Sequence, residues 1–238
     1  MPSQSGNDQP AVPNLTLLIM EVVSAMPEKT LFIPAEGFQI EAAVYVPEAP
    51  PMLHPGAVIC HPHPQYGGDM HNNVVMGVQE ALADAGFATL RFNFRGVGRS
   101  GGGLAGPDGD PEDVTRVAEY LRSTPGVDKK RMAIVGYSYG AMVGLAAGML
   151  TPGIAALVGI SPPVAAFRME FISRIDIPLL VITGDEDVFC PLNKLRPMLP
   201  SGAKLDLVKG ADHLYRGYES EAGRLVISFL MGKIGHSS

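Results

Sequence analysis

Ser138 stands in Gly136-Tyr-Ser138-Tyr-Gly140, a Gly-x-Ser-x-Gly turn that joins the apolar run Met132 to Val135 to a helical pattern beginning at Tyr139. A serine held at the tip of such a strand-to-helix turn presents its hydroxyl away from the sheet edge, where it can act as a nucleophile. The helix that follows aims backbone N–H groups and the positive end of its dipole at the place where an oxyanion would form. A hydroxyl of that kind needs a base and an acid to orient the base. Two later stretches offer them. One is Thr183-Gly-Asp185-Glu-Asp187, after the run Leu179 to Ile182; the other is Asp212-His213, after the run ending at Val208. Serine, acid and histidine thus follow successive apolar runs in that chain order, with Asp185, Asp187 and Asp212 as the candidate acids. A fourth stretch, His61-Pro-His63-Pro-Gln-Tyr-Gly67-Gly68, follows Ala57 to Cys60. Proline has no N–H, so His63 is the nearest donor in this loop for an oxyanion. His61, His63 and His71 could instead hold a metal, but no carboxylate or helical histidine pattern completes a coordination shell.

Elements must bring these residues together. Short β-prone runs occur at 57–60, 88–92, 132–135, 156–160, 179–182 and 203–208, several of them apolar without alternation. That pattern suits a parallel sheet covered on both faces. Between them, segments 74–84, 111–123, 139–150 and 215–231 have apolar residues three and four apart and predict helices. Asp110 reads as the N-cap of the second, with Pro111 in its first turn. Thr30 to Ile33 and Gln39 to Val46 predict an antiparallel edge hairpin, and Pro47 to Pro55 a surface connector. The fold class is therefore α/β, a doubly wound, mostly parallel sheet with antiparallel N-terminal edge strands, in which ligands gather at the carboxyl ends of strands.

Composition narrows the classes. The 238 residues are 46% hydrophobic with a net charge of −6, enough for one α/β domain and without a basic face for nucleic acid. No apolar run reaches the ~18 residues of a membrane span. Two cysteines, Cys60 and Cys190, make no disulfide framework, and a cytoplasmic location fits. Residues 1–29 read as a flexible or loosely packed leader with no Lys or Arg before Lys29, and 30–238 as the domain. Arg95-Gly-Val-Gly-Arg-Ser100 lacks the Gly-Lys ending of a phosphate loop, so Arg95 and Arg99 are expected to anchor a loop beside the pocket through hydrogen bonds to backbone carbonyls or nearby acids. Met70, Met142 and Met169 are candidates for an acyl pocket.

The elbow around Ser138, the Gly184-Asp-Glu-Asp187 loop with Pro191, and Asp212-His213 together resemble the α/β-hydrolase superfamily. His61-Pro-His-Pro64 with Gly67-Gly68, followed by Ala88 to Ser100, is similar to a dienelactone-hydrolase-like group of small serine hydrolases, over about residues 30 to 232. Dienelactone hydrolases proper carry cysteine at the elbow, and Ser138 departs from them toward ordinary ester chemistry. The resemblance implies an α/β-hydrolase fold and carboxylesterase-type activity on a small-molecule ester, with no metal and no organic cofactor. It implies Ser138 as nucleophile, His213 as base, Asp187 as the acid within Gly-Asp-x-Asp, and the N–H groups of His63 and Tyr139 as the oxyanion hole. Only about fifteen residues separate Ser161 from the next strand, so little or no cap is expected, and short-chain esters suit an open site. A serine aminopeptidase and a non-catalytic binding module are the alternatives, and edge-strand or C-terminal helix pairing offers a route to a homodimer.

Overall fold

The apolar runs pair into one sheet of eight strands. In the computed structural model, which describes residues 28–48, 53–106 and 110–235, these are β1 (Lys29–Ala35), β2 (Phe38–Tyr45), β3 (His54–Cys60), β4 (Ala88–Phe92), β5 (Val127–Tyr137), β6 (Ile154–Ile160), β7 (Leu179–Gly184) and β8 (Lys204–Val208). Their spatial order is β1-β2-β4-β3-β5-β6-β7-β8. The pairs β1·β2 and β2·β4 are antiparallel; every other neighbour pair is parallel. The readings made on residues 1–27 lie outside the described residues.

Helices cover both faces: α1 (Asn73–Asp84), α2 (Asp110–Ser123), α3 (Tyr139–Leu150), the single turn α4 (Leu192–Leu195) and α5 (Glu219–Ile234). Along β3, Val58 and Cys60 enter the core beneath α2 and α3, while Ala57 and Ile59 enter the one beneath α1 and α5. Alternation therefore persists in the central strands, but both faces are apolar, which is why the runs look continuous in the sequence. Each fully buried Val, Leu or Ile side chain contributes about 1.5–3 kcal/mol, so the platform behind the strand ends is firm. Among the described residues no helix is long and apolar enough to cross a membrane.

Three elements start three or more residues from where they were expected, each for a local reason. Strand β3 starts at His54 and takes in Pro55, because the pairing with β5 shifts register between His54 and Gly56 and the ladder asks no N–H of the proline there. Strand β5 begins at Val127, five residues before its apolar stretch, and its polar start is held by Asp128, which accepts from the Lys130 N–H and the Arg131 guanidinium. Helix α5 begins at Glu219 rather than Tyr215, since Tyr215 (φ 54°) and Gly217 (φ 82°) are left-handed and interrupt the helical path.

Candidate active site

Ser138 joins β5 to α3 with φ 55° and ψ −119°, a conformation that costs a non-glycine residue on the order of 1–3 kcal/mol. The surrounding structure holds it there: its N–H donates to Ile160 O at 2.8 Å, and its carbonyl accepts from Ala141 N at 2.9 Å. The two glycines are required by close approach. A Cβ on Gly136 would lie 2.1 Å from Gly140 O, and one on Gly140 would lie 2.3 Å from Cys60 O and 2.5 Å from His61 O. These are backbone atoms and cannot step aside. Gly140→Ala is expected to lower stability by more than about 4 kcal/mol, whereas Gly232→Ala, on the exposed face of α5 with open space around it, should be neutral or stabilising. Urea unfolding midpoints of the two variants check this.

Beyond the elbow, Ser138 Oγ lies 2.9 Å from His213 Nε2. His213 Nδ1 lies 3.0 Å and 2.9 Å from the two Asp187 oxygens. A carboxylate can only accept, so Nδ1 carries the proton and Nε2 is left to accept from the serine hydroxyl. Burial alone would raise the Asp187 carboxyl; the bonds from His213 and Ser161, the His213 charge and the Phe189 N–H outweigh it and hold the carboxyl below its ordinary value. Phe189 N and Cys190 N both donate to Asp187 Oδ1, at 2.9 Å and 3.1 Å, and fix its orientation.

Of the three candidate acids, then, Asp187 faces the imidazole. Asp185 Oδ1 accepts from Gly210 N at 2.6 Å, so it ties the loop after β7 to the loop after β8 instead of bracing its own turn. Asp212 Oδ1 accepts from Leu214 N at 2.9 Å and shapes the loop that presents His213. The two loops meet closely: Glu186 N donates to Ala211 O, and a Cβ on Gly184 would sit 2.0 Å from the same oxygen. Tyr137, directly before Ser138, donates its hydroxyl to His213 O at 2.5 Å, tying the elbow to the histidine loop.

On the other side of Ser138, His61 is fully buried, and Phe94 N donates to its Nε2 at 3.1 Å. The proton must then sit on Nδ1, which donates to Pro62 O at 2.7 Å. Burial pushes its pKa down to about 4, so it stays a neutral brace for the loop. His63 Nδ1 accepts from Gln65 N, and the His63 ring packs 4.6 Å from the Tyr139 ring, which brings the two expected oxyanion residues side by side. His71 Nδ1 lies 3.2 Å from an Arg91 guanidinium nitrogen. The three histidines thus have separate partners, and no group of three metal-ligating side chains occurs among the described residues.

A cavity of about 250 Å³ opens beside this loop, lined by His63, Pro64, Gln65, Leu104, Ala105, Gly106, Asp110 and Tyr139. Asp110 is the first residue of α2 and is buried; its Oδ2 accepts from the Tyr139 hydroxyl at 2.5 Å, so it is an anchor for the elbow rather than the expected cap. Its Oδ1 is buried without a partner. Burial raises its pKa from the ordinary 3.8 to about 6 against the opposing Tyr139 bond, with nearby Asp113 adding to the rise. Since the folded state holds this proton more tightly, ionised Asp110 costs stability increasingly as pH climbs from about 4 through 6, and costs nothing below 4. Asp110→Asn keeps an acceptor for Tyr139 and removes the charge. Its Tm is expected to exceed the wild type's by about 2–4 °C at pH 8, on the order of 1 kcal/mol, with the gap closing by pH 4 in thermal melts.

The glycine-rich stretch after β4 behaves as expected of a loop anchor. Arg95 grips buried Asp113 with two nitrogens, at 2.9 Å and 2.7 Å, and Arg99 N donates to buried Glu41 at 2.7 Å. The methionines differ from expectation. Met70, Met142 and Met169 are all buried, Met142 and Met169 in the core under α3, and none lines the cavity. Sequence reasoning missed Tyr137, Ser161 and Tyr215 as neighbours of the row; for Ser161 the available signal was a polar residue closing an apolar strand on the ligand side of the sheet.

Residues 58–224 match the family described as alpha/beta hydrolase domain. An uncharacterized protein of Rickettsia prowazekii is 30% identical over 188 residues, 74% of this chain and 79% of that one. Among solved structures, an alpha-beta serine hydrolase homologue from Coxiella burnetii is 28% identical with a TM-score of 0.75, covering 84% of this chain and 96% of its own. XC6422 from Xanthomonas campestris, described as a serine hydrolase without lid, is 28% identical with a TM-score of 0.72, covering 86% and 92%. With the strand order, the elbow and a family match over more than half of its length, this chain belongs to the alpha/beta hydrolases.

Proposed function

We propose that the chain is a serine esterase acting on small or short-chain carboxylic esters. The observation that carries this reading is the 2.9 Å contact from Ser138 Oγ to His213 Nε2, continued at 2.9 Å from Nδ1 to Asp187. Ser138 Oγ bonds to the acyl carbon as His213 takes its proton; the same imidazolium gives that proton to the leaving alkoxide as the ester C–O bond breaks. Asp187 holds the imidazole in the productive tautomer and stabilises its charged form. Water then attacks the acyl-enzyme by the reverse path, with His213 again as base. The N–H groups of Tyr139 and His63 receive the oxyanion, each such donor being worth about 10²–10³ in rate. None of these steps calls on a metal or organic cofactor.

Substrate size follows from the surroundings. Between β6 and β7 the chain forms only loops and the short 3₁₀ turn Glu170–Arg174, too little to enclose a long acyl chain. Val188 and Phe189 follow Asp187, Leu214 follows His213, and all three are exposed, with the Phe189 ring 4.7 Å from that of His213, an apolar surround suited to a small acyl or alcohol group. The peptidase reading is less favoured, because the acid on the cavity wall, Asp110, is buried and bonded to Tyr139 instead of turned toward a substrate ammonium. A panel of acetyl to palmitoyl nitrophenyl esters and aminoacyl anilides tests the proposal. Highest kcat/KM on acetyl or butyryl esters is expected; a steep preference for long chains or for anilides would overturn it.

A further inference from the structure

Arg91, Asn93 and Phe94, at and just beyond the carboxyl end of β4, reach across to the loop that carries His63. Phe94 N donates to His61 Nε2 at the start of that loop. At its far end the Met70 peptide is held from both sides: its N–H donates to Asn93 Oδ1 at 2.9 Å, and its carbonyl accepts from Arg91 Nη1 at 3.1 Å. Between these two points the loop closes on itself. Tyr66 N and Gly68 N both donate to His63 O at 3.1 Å. Gly68 also packs on the peptide unit that joins Pro62 to His63, so closely that a Cβ there would sit 2.2 Å from Pro62 O. His61 Nδ1 donates to the same oxygen at 2.7 Å. A trans peptide is planar, so whatever fixes Pro62 O also fixes the direction of the His63 N–H on its opposite side.

Asn93 is buried, and its amide has one orientation that satisfies both neighbours. Met70 N–H can only donate, so it faces Oδ1; Nδ2 then donates to Glu41 Oε2 at 2.8 Å. That oxygen, on buried Glu41 of β2, accepts from Arg99 N as well, at 2.7 Å. The Asn93 backbone is locked to the same strand and turn: its N–H donates to Glu41 O at 2.9 Å, and its carbonyl accepts from Ser100 Oγ at 2.7 Å. Gly98, at φ 56°, lets the turn close over the pair, since a Cβ there would lie 2.2 Å from Asn93 Nδ2. A side chain bonded and enclosed on this many sides presents its acceptor to Met70 in a fixed place. We propose that Asn93 is a positioning residue of the oxyanion hole: through Met70 it holds the loop so that the His63 N–H stays aimed at the developing oxyanion. This rests on the esterase reading above, with His63 as one of the two donors.

The test compares wild type with Asn93→Ala, Asn93→Ser and Asn93→Asp, each assayed below its own Tm. Alanine removes both side-chain bonds, and serine is the smaller step should the alanine chain not fold. Aspartate keeps an oxygen for the Met70 N–H and loses the N–H offered to Glu41, so it separates the bond to the loop from the bond to β2. The substrates are nitrophenyl acetate and its thiono analogue, in which sulfur replaces the carbonyl oxygen. Sulfur accepts hydrogen bonds weakly, so the ratio of the two kcat/KM values reads the oxyanion donors and is blind to a general loss of fold. Asn93→Ala and Asn93→Ser should lose about tenfold in kcat on the acetate with KM little changed, and their oxygen-to-sulfur ratio should fall about fivefold. Asn93→Asp should melt below wild type, two carboxyl groups now facing each other, yet keep the ratio within about twofold. A folded Asn93→Ala or Asn93→Ser chain with the wild-type ratio overturns the proposal and leaves the esterase reading standing, as does an Asn93→Asp chain whose ratio falls as far as theirs. If wild type neither turns over esters nor is labelled by a fluorophosphonate, both fail.

Discussion

Ser138→Ala is expected to reduce ester turnover by about four to six orders of magnitude while leaving a folded chain. In the proposed mechanism the replaced atom forms the covalent bond, and alanine meets the same positive φ as serine, so the elbow's backbone energy changes little. Neither cysteine is placed to substitute. Cys60 is fully buried and its thiol is pushed far up by burial; Cys190, 1% exposed, is pushed up to about 12. Neither supplies a thiolate at neutral pH. Kinetics on nitrophenyl acetate, together with loss of fluorophosphonate labelling at an unchanged Tm, check this. Substantial residual turnover would remove Ser138 from the mechanism.

The second large effect is expected from Asp187→Asn, a loss of about 10⁴ in kcat. The substitution is nearly isosteric, and an amide oxygen could still accept from Phe189 N and Cys190 N. An amide NH₂ turned toward His213 makes Nδ1 an acceptor, however, and the ring proton moves to Nε2. An Nε2 that carries a proton cannot take one from Ser138. Asp185→Asn is the matched control: its oxygen can still accept from Gly210 N, and activity within about threefold of wild type is expected because this side chain does not reach the imidazole. Equal losses in the two variants would leave Asp187 with no special role.

The order of elements, the turn around Ser138 and the order of serine, acid and histidine could be read directly, because they rest on local chemistry: apolar runs, glycines and strand ends. The choice among Asp185, Asp187 and Asp212 could not be made from the residues alone and needed a resemblance to settle it. It depends on how two loops cross, and that crossing is set by Gly184 packed against Ala211 O, a tertiary contact with no local signature. Asp110 was misread for the same kind of reason. An acid before Pro-Glu-Asp has every local mark of a cap, yet its carboxyl is drawn to Tyr139, 29 positions away. The late start of α5 was hidden because nothing in Tyr215 announces left-handed backbone; its hydroxyl's place beside Ser161 shows where the residue is held.

The proposed nucleophile and base hang from different parts of the sheet. Ser138 extends from β5, fifth of eight strands and flanked on both sides, whereas His213 follows β8, an outer strand whose first four residues are exposed or half-buried. Amides at the elbow are therefore expected to exchange with solvent only when the domain opens as a whole, and those around His213 through a sub-global opening of the outer strand, which hydrogen exchange checks. Warming would detach the base before the nucleophile, so heat inactivation would run ahead of melting and reverse on cooling.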